Sequence, residues 1–454
     1  MLVDRDTVEA ESHGLLDMLL ARERVEVIQF SDNGPPSDSA MLDTDSFGSS
    51  ALGWVTLGPA TDSPGDPFAG RSLSVASGET LNMQTLLDYS VESLGLTTAD
   101  FPGGSLSPED RALYSTAQEV SADVLISART SLAASALGNG VLPIRTPAAS
   151  VPLVALYLRS AGDLIRAISP RLTEMSQPAS TFFQSTVNTY CPSLTLLAQH
   201  SAQLTQPDRS ALLNGAQRKL ASALARRDNV WRLVLQHPTV AELNELADDV
   251  DVALVQMTSA LDATARYLDA VLGLRTHRTK IGFQRPDWRD RLSDQLGFHF
   301  SDEQVLATRA VTGLRNFVHA GGKRTVPIDT GAHQWKRTTT YLVHDWEDPD
   351  LSGGMQDPAE ALQALASGIF GTPANDIFRT EAIPGIFIAP GPALDSLSGA
   401  TMHLLECVLA AYAASIPVVA MPEAPALRVR PEIRRHQTLQ MMGIPGFGGS
   451  AYLA

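Results

Sequence analysis

Between residues 240 and 274 apolar side chains recur at intervals of three and four: Leu254, Met257, Leu261, Leu268 and Leu272, with Thr264 in the same register. That spacing predicts one long amphipathic helix, with its apolar stripe on one face. A helix of this length cannot bury its stripe alone, so it commits this part of the chain to a bundle. Gly273 and the basic run Arg275, His277, Arg278 and Lys280 suit its C-terminus, where positive charge meets the negative end of the peptide dipole.

Other segments repeat the pattern. Leu153, Tyr157, Ala161, Leu164 and Ile168 predict a helix that Pro170 ends, with Arg159 and Asp163 one turn apart. Helices are expected after Pro192, and from Gln206 through Leu213, Leu220 and Leu224 toward Trp231 and Leu235. Smaller ones are expected around Arg289–Leu296, 359–368 and 396–415. Ser107 and Ser301 read as N-caps, each with acids in the following turn. Residues 1–30 predict an opening helix and a strand over Val25–Phe30, and residues 31–75 read as a Ser-, Asp-, Gly- and Pro-rich loop or surface module. Thr325–Ile328 and Thr338–Val343 predict a hairpin.

The expectation is a mainly α protein: a helical bundle core with small β-hairpin insertions and long Pro/Gly-rich loops. It divides into an acidic mixed region at 1–150, a bundle at 151–325, and a mixed region at 326–454 with the hairpin, an apolar helix and a Pro/Gly-rich tail. The apolar stretch Leu404–Met421 contains Glu406 and Pro417, so it reads as a buried helix and a short strand or loop, and no membrane partner is expected. The N-terminus carries Asp4, Asp6, Glu9 and Glu11 where a signal peptide needs bases. Cys191 and Cys407 announce no disulfide framework, and a cytoplasmic location is expected.

Charge is unevenly spread. The formal net charge is -16, yet residues 1–150 hold 21 Asp and Glu against 7 Lys and Arg. Residues 275–337 reverse the balance, with 12 bases and 6 acids. An acidic chain is not a general nucleic-acid binder, but a local positive region can hold a phosphate backbone. Arg275, Arg278, Lys280, Arg285, Lys323 and Arg324 are the candidate nucleic-acid contacts.

Inside that region lies Leu314-Arg315-Asn316-Phe317-Val318-His319. On a helix Arg315 and His319 share a face, one turn apart, with Asn316 beside them. Arginine can fork onto phosphate oxygens or stabilise transition-state charge, and histidine can act as general base or acid. The three residues form a minimal candidate site for metal-independent phosphodiester cleavage. The structural alternative is that His319 caps the helix while Arg315 pairs with an acid such as Asp262.

This run, with Ala263-Thr264-Ala265-Arg266 and Gly282-Phe283-Gln284-Arg285-Pro286-Asp287-Trp288, resembles the HEPN-like helical domains of bacterial defence and toxin systems. The resemblance covers about residues 230–325. It implies a helical-bundle ribonuclease with a composite site across a homodimer, Arg315 and His319 as the catalytic pair and Asn316 as the polar residue after the arginine. Three residues separate the pair here, against the four to six of the usual family signature. Two other functions stay open on the residues alone. One is a non-enzymatic assembly protein, such as a viral coat or shell component or a structural subunit; the other is an RNA-binding bundle that does not cleave. RNA and a second copy of the chain are the expected partners, and no cofactor is expected. His333 and His344, with Asp345, Glu347 and Asp348, fit no familiar metal-ligand spacing. The Gly-Gly pairs lack the Lys-Ser/Thr of a phosphate loop.

Overall fold

The computed structural model describes residues 1–8, 14–22, 24–31, 51–57, 72–77, 80–85, 107–120, 122–133, 142–169, 172–174, 178–235, 240–320, 323–329, 337–343, 377–379, 386–416 and 431–444. Among these the fold is mainly α, as the periodicity predicts. The expected helix at 359–368 and the His333/His344 group lie outside the described residues.

The first region is built on a sheet larger than any hairpin insertion. The chain opens with a strand, not the expected helix: β1 (Leu2–Asp4), then α1 (Leu15–Leu20) and β2 (Val27–Phe30). β3 (Ala51–Leu57), β4 (Ser72–Ser77) and β5 (Thr80–Thr85) follow, so the supposed loop at 31–75 contains β3 and the start of β4. After α2 (Pro108–Glu119) come β6 (Leu125–Ile126), the short α3 (Thr130–Ala133), β7 (Ile144–Arg145) and α4 (Pro147–Ser160). The order is β5-β4-β3-β2-β1-β6-β7. Strands β3-β2-β1-β6-β7 are parallel, and β4 and β5 add an antiparallel edge. Outward growth from β1 reverses at β6, which makes the β1/β6 boundary a topological switch point. Val3, Leu19, Leu20, Ile126, Val154 and Leu158 form its core.

Helix α4 therefore belongs to the sheet's core rather than to the bundle. It also stops earlier than its apolar spacing predicts. Gly162 takes a left-handed φ of 91°, and the Asp163 amide bonds the Leu158 carbonyl at 2.8 Å. This glycine-terminated turn releases Arg166–Ser169 as β8, paired antiparallel with β9 (Leu172–Glu174).

The bundle consists of α5 (Ala179–Tyr190), α6 (Pro192–Gln203), α7 (Pro207–Leu235), α8 (Val240–Leu272), α9 (Pro286–Leu296), α10 (Asp302–Ala320) and α11 (Pro390–Ser415). α7 and α8 pair antiparallel: Arg226 Nη1 reaches Asp249 at 2.6 Å near one end, and Arg209 Nη2 reaches the Ala270 carbonyl at 3.3 Å near the other. α8 is 33 residues, about 50 Å at 1.5 Å per residue. α11 is the one described helix long and apolar enough to cross a membrane, yet Leu394, Leu397, Leu404, Leu405, Val408 and Leu409 are buried in the bundle core. Cys191 is buried there too, donating to the Met402 carbonyl at 3.2 Å.

The hairpin forms as expected: β10 (Lys323–Asp329) and β11 (Arg337–Val343) pair antiparallel with Val326 opposite Thr340. β12 (Ile377–Arg379) and β13 (Ile386–Ile388) extend it to four strands. Part of the tail is helical. α12 (Pro431–Met442) sends Met441 into the sheet's core and Leu439 and Met442 into the bundle's, where Ile444, just past the helix, joins them.

A buried charge network fastens these parts. Arg159 of α4 donates to Asp228 of α7 at 2.6 Å and to the Met441 carbonyl at 3.0 Å. Arg227 donates to Asp228 at 2.9 Å, to the Met442 carbonyl at 2.6 Å, and through Nε to Asp395 of α11. Trp231 Nε1 adds a 3.1 Å bond to Asp395. Two arginines and two aspartates balance. Asp395 is 1% exposed, and its Oδ2 meets no donor. Burial pushes its carboxyl up to about 6 against the opposing pull of Arg227. Gly391 permits the packing, because a Cβ there would lie 2.7 Å from the Trp231 ring.

Candidate functional site

Helix α10 starts as its sequence directs. Gln304 N donates to Ser301 Oγ at 3.3 Å and Gln304 Oε1 accepts from Ser301 N at 3.0 Å, a reciprocal capping box. The helix runs unbroken to Ala320, which keeps residues 315 and 319 one turn apart on its backbone. The side chain of His319 lies outside the described part of the structure, so the Arg315/His319 pairing has only its helical register behind it.

Arg315 is half-buried. Its Nη1 donates to Asn316 Oδ1 at 3.4 Å, while its Nε is buried without an acceptor. Across from it on α8 stands Asp262. Burial raises the pKa of this carboxyl, and three cations oppose the rise: Arg266 one turn along α8, Arg315 on α10 and Lys219 on α7. None of the three makes a direct ion pair with Asp262. The structure thus brings Arg315 into the field of the acid that the sequence suggested, beside Arg266, which the helical spacing already puts one turn from that acid, and adds Lys219 from α7. Asp262 thus stands in the field of cations from three helices.

The basic turn lies at the C-terminal end of α8, about 15 Å along the axis from Asp262. Gly273 closes the helix at φ 64°, Leu274 N bonds Asp269 O at 3.1 Å, and Arg275 follows at φ 54°. Asp269 holds the turn by accepting Trp288 Nε1 at 3.1 Å and Thr276 N at 3.3 Å. Phe283 packs edge-on against Trp288 at 5.3 Å. On this framed turn Arg275, Arg278, Lys280 and Arg285 are exposed, and none makes a salt bridge among the described residues. Nearby, burial and the adjacent charge of Arg309 both push the pKa of the Arg289 guanidinium down. Lys323 and Arg324 start β10, which packs against α8; their side chains are outside the described set.

A second polar cluster escaped sequence reasoning. It sits at the C-terminal edge of the parallel strands, beside the β1/β6 switch point, the usual ligand edge of such sheets. Arg129 bonds Asp4 at 2.9 Å and also pairs with Asp6 at 3.7 Å and Asp110 at 3.4 Å. Thr7 and Ser127 each donate to Asp4 at 2.7 Å, and Ser31 donates to Asp6 at 2.7 Å. The sequence signal was Leu2-Val3 running into Asp4-Arg5-Asp6, an apolar strand ending on carboxylates. These carboxylates already have donors, and the cluster locks the loops after β1 and β6 to α2. Among the described residues no three His, Cys, Asp or Glu side chains converge as a metal-ligand set.

No family model, curated protein or solved structure matches this chain.

Proposed function

We propose that the helical bundle binds RNA as a polyanion. Arg315, Asn316, Lys219 and Arg266 form the seat, and Arg275, Arg278, Lys280 and Arg285 extend it. The observation behind this is the charge imbalance at Asp262: one carboxylate faces cations from three helices, and Arg315 Nε is buried without an acceptor. A phosphodiester oxygen meets the solvent-facing side of the half-buried guanidinium and supplies negative charge to the cluster. The exposed turn adds point charges that bind a backbone regardless of sequence.

Filter binding of a single-stranded RNA across a salt series tests the proposal. Arg315→Ala should weaken binding and lower the magnitude of the salt slope by about one. An unchanged affinity and slope would remove the seat.

Metal-independent cleavage, as the HEPN resemblance implies, is the second reading. It is favoured by the continuity of α10 through Ala320, which keeps residues 315 and 319 in register. In it Arg315 stabilises phosphorane charge, His319 moves the proton of a ribose hydroxyl, and two copies of the chain complete the site. RNA incubated with wild type and with His319→Ala in chelator separates the readings: equal cleavage, or none in either, leaves binding alone.

A further inference from the structure

The loop from α9 to α10 builds an aromatic corner beside the basic turn. Gly297 closes α9 in the left-handed region at φ 62°, and Phe298 N bonds Ser293 O at 3.3 Å. The chain then carries Phe298, His299 and Phe300 over the surface before Ser301 caps α10. Their rings continue a series that runs outward from the core, each edge-on to the next. Trp288 and Phe283, each 1% exposed, meet at 5.3 Å; Phe283 meets Phe300 at 6.2 Å, and Phe300 meets Phe298 at 5.1 Å. Phe298 and Phe300 are half-buried, and His299 between them is exposed.

Phe283 ties this corner to the basic turn. It lies between Lys280 and Arg285 in sequence, and its carbonyl accepts from Arg289 Nη1 at 2.7 Å. The corner therefore borders a turn whose exposed cations are open to an anion. Exposed acids flank the corner itself, Asp294 on one side and Asp302 and Glu303 on the other. They repel phosphate from the rings and leave the turn as its place. A ligand with charge for the turn and a flat apolar group for the corner is a single-stranded nucleic acid, whose bases are free to stack on protein rings. A duplex offers the same phosphates but keeps its bases stacked on one another. From the turn to Asp262 is about 15 Å along α8, and from Asp302 to Arg315 is about 20 Å along α10. At about 3.4 Å per nucleotide, that distance holds about four to six nucleotides.

We infer that Phe298, His299 and Phe300 form a base-stacking platform, which makes the bundle's ligand single-stranded RNA rather than duplex. This rests on the RNA reading of the Arg315 seat: phosphates run from the basic turn toward the seat, and a base beyond the turn stacks on the rings. The platform is indifferent to sequence, because every base has a π face.

The test uses the full chain and two probes, an oligoadenylate of about twelve nucleotides and inorganic polyphosphate, which has the charge without the bases. Phe298→Leu keeps an apolar side chain against Phe300 and removes the ring, and His299→Ala changes an exposed residue where folding is not at stake. Each should weaken oligoadenylate binding about tenfold and leave polyphosphate binding unchanged. Phe298→Tyr, which keeps a ring, should bind like wild type, and a duplex of the same length should respond to neither loss. The platform is overturned if His299→Ala and folded Phe298→Leu both bind oligoadenylate like wild type, or if they weaken polyphosphate as much as RNA. Should Arg315→Ala still weaken RNA binding in that case, the seat stands and only the platform falls. Wild type that binds neither probe overturns both.

Discussion

Two charged clusters in this molecule share residue types and differ in balance. At the junction, Arg159, Arg227, Asp228 and Asp395 are buried and electrically neutral, and backbone carbonyls satisfy the remaining guanidinium donors. On α8, Asp262 faces Lys219, Arg266 and Arg315, partly open to solvent. A buried pair broken on one side is costly, because the remaining charge is stranded. A half-exposed excess of one sign costs little in stability but attracts the opposite sign from solution. The first arrangement holds parts together; the second is the one we propose as the seat of RNA.

Substitutions can test that division, beginning with the largest effect. Arg227→Met leaves Asp395 with only the Trp231 indole and Asp228 with only Arg159, and should lower unfolding free energy by about 3–5 kcal/mol in denaturant titration. A loss as small as that of a surface ion pair would break the comparison. Asp395→Asn tests the junction through pH. The folded-state pKa of Asp395, about 6, lies above its unfolded value near 3.8, so the folded state binds the extra proton between them. Stability from this group is full below the unfolded value and is lost as pH rises through about 6. Wild type should therefore lose on the order of 3 kcal/mol across that window relative to Asp395→Asn, seen as a difference in the slopes of stability against pH.

Gly391→Ala drives a methyl toward the Trp231 ring and should cost about 1–3 kcal/mol, measured as a lower midpoint at unchanged m-value. Smaller again is Asp262→Asn. It should move stability by under about 1 kcal/mol and raise RNA affinity several-fold at low salt, because a carboxylate is removed from among the three cations. If Asp262→Asn unfolded the protein and left RNA affinity alone, the α8 cluster would belong with the junction.

What sequence reveals follows the same division between local and distant partners. α7, α8 and α10 are legible because their apolar spacing and caps are local, down to the Ser301–Gln304 box. The seven-stranded sheet is not. β6 and β7 are two residues each, and β3 to β5 stand as islands in Ser-, Gly- and Asp-rich stretches, so pairing partners rather than periodicity define them. Arg159 shows the limit at one residue. Its one-turn spacing to Asp163 suggested a helical pair, but α4 ends between them. Arg159 reaches Asp228 instead, and Asp163 takes Arg24. At the candidate site, the register of Arg315 and its relation to Asp262 were readable along helices. Lys219 required knowing which helices pack.

The carbonyls of Met441 and Met442 lie 282 and 215 residues along the chain from the guanidiniums they receive, Arg159 and Arg227. At ribosomal rates of about 5–20 residues per second, those arginines wait roughly ten seconds to a minute for their acceptors. Through that interval sheet and bundle are joined by the Arg159–Asp228 pair and the Leu156–Trp231 contact, without the carbonyl half of the clasp. Completion of the clasp is therefore a late event of synthesis, and a chain that stops short of residue 431 leaves the guanidiniums of Arg159 and Arg227 without these two acceptors.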